Sequence, residues 1–155
     1  RQAFTQAQQA LNEEAAKKGV SLEWAMPQHL SPWQRALSLF PRVGLQQARA
    51  IDIVLNRDSQ LSARRKAELA WIVARENQSL LSIAEAQSRL ESHGHDRGDL
   101  VKLDRNESEE PAEIEAWAFA RKLTTQPQVI EDSDIDRLKR HYSHHQIAEI
   151  VYVVG

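Results

Sequence analysis

Apolar residues recur along this chain at helical spacing almost throughout. Residues 3–18, rich in Ala, Gln, Glu and Lys, read as a first helix that Gly19 stops. Residues 20–26 read as a loop or short turn carrying Trp24 and closed by Pro27. Ser31-Pro32 has the form of an N-cap followed by a first-position proline, opening a short helix through Phe40 that Pro41 ends. The next helix runs from Gly44 to about Asn56, with Leu45, Ala48, Ile51, Val54 and Leu55 on one face.

The middle of the chain carries the clearest pattern. Ser62 caps a central helix over 63–76, with Leu69, Ile72 and Val73 as its large apolar face. Ala63, Ala67, Ala70 and Ala74 form a stripe beside it that lets a neighbour approach closely. The short joint Asn77-Gln78 demands an abrupt change of direction into a helix over 79–92, whose apolar line is Leu80, Ile83, Ala84 and Leu90. Gly94 ends it, and 95–106 reads as the longest polar loop.

Ser108 then leads a helix with Glu109, Glu110 and Glu113 at its positive end and Pro111 early; it buries Ile114, Trp117, Ala118 and Phe119 and ends near Leu123. After Pro127, Asp132 or Ser133 caps a short helix through Arg140. Ser143 caps a last helix with Ile147, Ile150, Val151 and Val154 inward; Tyr152 to Val154 alone would suit a strand, but cap and spacing favour helix. The fold class predicted is all-α, with a helical arm over 1–30 and a helical domain over 31–155.

Composition narrows the functions. The 155 residues suit one domain, and 41% apolar with 27% charged is ordinary for a soluble globular protein, taken as cytoplasmic by default. A net charge of −2 gives no footprint for nucleic acid, and no run of about 18 apolar residues offers a membrane span. No secretory leader is visible, and the chain opens at Arg1 without an initiator Met. There is no cysteine, which excludes thiol nucleophiles, disulfides and thiolate metal sites within these residues.

The remaining candidate chemistry is sparse. Ser79 and Ser82 stand three apart at a helix start, but lack a Gly-x-Ser-x-Gly elbow or a histidine within eight residues, so they read as a cap and a small filler. His93, His95, His141, His144 and His145, with His29, lack a zinc-binding pattern and read as surface and helix-end residues, so no metal or cofactor is expected. Arg64-Arg65-Lys66 opposes the helix dipole at the central helix start; it reads as solvated, or as a contact for an anion or a neighbouring subunit's acidic face. Ser143 to Ile150 has the form of half a helix-turn-helix, but Val-Tyr-Val-Val-Gly follows with nothing to touch bases. Trp24, Trp33, Trp71 and Trp117 read as core anchors.

Two stretches together resemble the carboxymuconolactone decarboxylase and alkylhydroperoxidase D-like superfamily. One is Leu61 to Ser79, "LSARRKAELAWIVARENQS", which is similar to the family's central helix and the turn into its active-site helix. The other comprises Glu115 to Leu123, Ile130 to Leu138 and Ser143 to Val151, similar to its later helices. The likeness covers residues 37–155 and implies a bundle of about seven or eight helices with an added N-terminal helix, assembled as a homo-oligomer (dimer, trimer or hexamer). The family's redox positions fall on Ala67, Ser79, Ser82 and Ala86, none with a thiol or titrating group. The resemblance therefore implies a non-thiol, non-redox binding or structural module. Its alternatives are an enzyme acting on a small organic acid, with Arg75 and Gln87 as pocket candidates, or a residual peroxidase-related protein.

Overall fold

The computed structural model describes residues 2–17 and 39–155. Gly19, Trp24, Pro27, His29, Ser31-Pro32 and Trp33 lie outside them. Among the described residues there are eight α-helices and no strand: α1 (Gln2–Lys17), α2 (Pro41–Asn56), α3 (Ala63–Glu76), α4 (Leu80–Ser92), α5 (Arg97–Arg105), α6 (Pro111–Thr125), α7 (Asp132–Lys139) and α8 (His144–Val154). A 3₁₀ turn, Pro127–Val129, joins α6 to α7. The all-α expectation holds. The chain divides into two compact units, Arg1–Val54 and Leu55–Gly155.

In the first unit, Pro41 opens α2, ahead of the expected start at Gly44, and residues 39–40 before it are not helical. Proline suits a first helical turn because its missing N–H is one the helix leaves unbonded there.

The second unit is built around α3, which packs on α4, α5, α6 and α8, while α6 also packs on α7 and α8. Ser62 caps α3 as predicted, its hydroxyl accepting from the Arg65 N–H. Leu69 and Ile72 are buried, joined by Trp71, Leu90, Trp117, Phe119, Leu138 and Ile150 in one apolar core. Buried Ala63, Ala67 and Ala74 give α3 the narrow flank that close neighbours require.

A buried charge with a half-buried partner accompanies this packing. Lys66 has no exposed surface; its ammonium donates to the Arg57 carbonyl at 2.8 Å and the Ser59 hydroxyl at 2.6 Å, and pairs with Glu149 of α8 at 2.9 Å. Glu149 also accepts from the Leu61 N–H at 2.7 Å, so one carboxylate ties α8 to the segment entering α3.

Several sequence expectations are corrected. The segment read as a loop over 95–106 contains α5. Its polar sequence hides the helix, but Asp96 and Asp99 form a reciprocal capping box, with bonds of 3.0 and 3.1 Å. In α4 the buried positions are Ala86 and Leu90 with Ile83 packed against the core, whereas Leu80 is 84% exposed and Ala84 is exposed. Leu80 begins the helix directly after a reversal and stands outside the packed interface. Ala118 and Val151 face solvent; Ala116, Ala120, Ile147 and Val154 take the inward positions at helical spacing.

The predicted abrupt joint is present between α3 and α4. Gln78 adopts φ +52, a left-handed conformation that costs a side-chain-bearing residue about 1–2 kcal/mol. Gln78→Gly should therefore stabilise the protein in urea denaturation by about 0.5–1 kcal/mol, after the added entropy of glycine in the unfolded chain is subtracted. An unchanged or lowered midpoint would mean that the Gln78 side chain offsets its backbone strain.

A candidate polar cavity beside the central helix

The end of α4 positions the first functional side chain. Gly94, at φ +85, reverses the chain, and two bonds close the turn: Gly94 N–H to the Glu91 carbonyl and His95 N–H to the Leu90 carbonyl, each 3.0 Å. This is a Schellman stop. It places His95 directly after the reversal, where the ring is buried against α3. His95 Nε2 lies 3.2 Å from Glu68 Oε1.

Glu68 is the second element. It is 1% exposed and receives Arg65 Nη1 at 2.7 Å and Arg64 Nε at 3.2 Å in addition to His95. Arg65 continues to Glu113 of α6 at 2.8 Å, and the Ser108 hydroxyl donates to Glu113 at 2.5 Å. Of the run Arg64-Arg65-Lys66, Arg64 is exposed as the solvated reading expects, whereas Arg65 and Lys66 are drawn inward. Arg65 and Lys66 meet carboxylates of their own chain, which offset the unfavourable helix dipole. Burial and the nearby Glu68 and Glu113 act oppositely on Arg65: burial lowers its pKa, the carboxylates raise it, and the net is upward.

These groups border a cavity of about 510 Å³ between α3, the turn at His95, α5, the segment leading to α6, and α6 itself. That volume is within the range of small-ligand sites. The α5 wall is held from behind by Arg121 of α6, which donates to the Leu103 and Asp104 carbonyls and to Asn106 Oδ1 at 3.1 Å, and pairs with Glu76 at 3.2 Å. Trp117 closes the cavity on the α6 side. Two buried polar atoms on lining residues have no protein partner: His95 Nδ1 and Trp117 Nε1.

The sequence-predicted positions lie elsewhere. Ser79 caps α4, and its Oγ shares a 2.9 Å hydrogen bond with Ser82 Oγ while accepting from the Ser82 N–H at 3.4 Å. Ala67 and Ala86 are buried in the apolar core. Arg75 pairs with Asp104 at 3.1 Å, its guanidinium 5.7 Å from the centre of the Trp71 ring. Gln87 donates to Glu91 at 2.8 Å. None of the six lines the cavity. His93, His141, His144 and His145 are exposed as expected, while buried His95 departs from that reading. Among the described residues no group of three or more His, Asp or Glu is placed to hold a metal.

Sequence reasoning missed Glu68, His95 and Glu113. The available signal was Gly94: a glycine stop followed by a polar residue sends that residue back toward the helix body. Compared with known proteins, the chain matches no family model and no curated sequence.

The ion pairs set a pH limit. Burial pushes the Glu113 carboxyl up, but Ser108 and Arg65 outweigh it; burial likewise raises Glu149, but Ser59, Lys66 and the Leu61 N–H outweigh it. Both groups lie below the ordinary value of 4.5 in the folded protein. Depressed carboxylates contribute stability that is complete above the unfolded value and is lost as pH falls through the folded ones. Unfolding free energy measured in urea should therefore fall as pH drops below 4.5, with a shallower slope in Glu113→Gln. An identical slope in the variant would contradict this assignment.

Proposed function

We propose that this protein is a non-thiol, non-redox binding module of the carboxymuconolactone decarboxylase and alkylhydroperoxidase D-like type, with its ligand site in the cavity beside Glu68 and His95. The observation that carries the reading is the pairing of a silent serine site with a built polar cavity. Ser79 and Ser82 satisfy each other and the helix start. A serine without a base is no substitute for a thiolate in peroxide reduction. On the far part of α3, by contrast, buried Glu68 and His95 stand beside an open cavity lined by charged and polar side chains.

Assembly as a homo-oligomer belongs to the same proposal. It is supported by the exposed Leu80 and Leu81 on the first turn of α4, large apolar side chains without cover in the single chain.

The alternative of an enzyme for small organic acids finds less support. The cavity lining holds five carboxylates, Glu68, Asp99, Glu107, Glu109 and Glu113, against two cations, Arg64 and Lys102. Adding Arg65 behind the wall still leaves an acidic excess, which disfavours an incoming carboxylate.

Purified protein given hydrogen peroxide with a dithiol donor should show no turnover above the buffer rate. Turnover that disappears in Ser79→Ala/Ser82→Ala would overturn the non-redox reading.

A further inference from the structure

We infer that α5 is a lid on the cavity, hinged at Gly94 and Asn106 and latched by Arg121 of α6. That the lid admits a ligand rests on the cavity being the site proposed above. The movement itself does not, and it can be read without a ligand.

Asp99, Lys102 and Leu103 of α5 line the cavity together with its C-cap Asn106. Their spacing is that of one helix face, so a whole side of this element forms the wall. The element is lightly anchored. Only Leu100 and Leu103 of its nine residues are buried, against eight of fourteen in α3. Elements with few buried apolar contacts open locally at lower cost than the core does, which sets α5 apart from α3. Left-handed backbone marks both ends, at Gly94 with φ +85 and at Asn106 with φ +59. Positions just beyond an element's ends are where a hinge absorbs its change in φ and ψ.

The remaining attachments are polar. Asp104 accepts from Trp71 Nε1 at 2.9 Å and pairs with Arg75 at 3.1 Å, and Asn106 Nδ2 donates to the Ile114 carbonyl at 3.4 Å. Arg121 makes the largest set, donating to the Leu103 and Asp104 carbonyls and to Asn106 Oδ1. Bonds of this kind exchange for bonds to water at small net cost. The two buried leucines hold the lid shut at rest, and Arg121 decides how firmly. Trp117 stands one turn before Arg121 on the same side of α6 and lines the cavity with Leu103. Its Nε1 is closed off from solvent while the lid is shut. Opening therefore frees two indole N–H groups together: Trp71 loses Asp104, and Trp117 loses its cover.

Hydrogen exchange of these two indoles in ¹⁵N-labelled protein tests the lid. They are assigned through Trp71→Phe and Trp117→Phe, and the Leu69 and Ile72 amides of α3 report global unfolding. After correction for intrinsic rates, both indoles should be protected equally within about threefold, and at least about tenfold less than the α3 amides. Arg121→Met removes bonds that exist only in the shut form, so it should lower protection of both indoles about tenfold. Glu149→Gln breaks the tie between Lys66 and α8, which stays made when the lid opens. It should lower α3 protection at least about tenfold and leave the indoles unchanged. If the indoles exchange no faster than the α3 amides, or follow them in Glu149→Gln, only global unfolding exposes them and the lid is rejected. Different protection for the two indoles, or none lost in Arg121→Met, rejects it equally. Each of these outcomes leaves the cavity as a ligand site untouched.

Discussion

The buried carboxylate of Glu68 is the constraint on which the second unit depends. A charge taken out of water is tolerated only when paired and hydrogen-bonded. Here three cationic or polar donors converge from α3 itself and from the turn after α4. Arg65 then carries the network to Glu113, so α3, the α4 exit and α6 are bound through one anion. Lys66 lies two residues earlier, about 200° around the helix. It faces away from Glu68 and forms the second tie, to α8 and the entering segment. The central helix is therefore fixed by opposite charges on opposite sides, with its alanines and large apolar residues packed between them.

The same network makes the site. Glu68 holds the Nε2 edge of the His95 ring at 3.2 Å, and the other ring nitrogen is buried without a protein partner. Glu113 is held by Arg65 and Ser108, which anchors the segment forming the acidic rim. The ion pairs that join these helices also border the cavity proposed as the site. The serine pair has no such coupling. Its bonds are local to one helix turn.

Much of the fold was legible in the sequence. Ser62, Ser79 and Ser143 cap the helices they were expected to cap, and the reversal at Asn77-Gln78 falls where the short joint required it. Residues 97–105 were not legible as helix, because a nine-residue helix with mainly charged positions has too few apolar residues to display a period. Its existence depends on the Asp96–Asp99 box and on Arg121, which arrives from α6 and is invisible to local pattern. The cavity was hidden for a related reason. Glu68 and His95 are 27 positions apart, and two reversals, at Asn77-Gln78 and at Gly94, bring them together. Arg65 and Lys66 read as solvated because Glu113 and Glu149, which pair with them, lie far along the chain.

Equilibrium unfolding of Glu68→Gln, followed by the fluorescence of buried Trp71 and Trp117, tests the central role of this carboxylate most directly. Gln keeps the shape and removes the charge, leaving the inward guanidinium of Arg65 short of one partner. The expected loss is about 3 kcal/mol relative to the unaltered protein, the scale of a broken buried ion pair. A loss below about 1 kcal/mol, the scale of a surface pair, would contradict it.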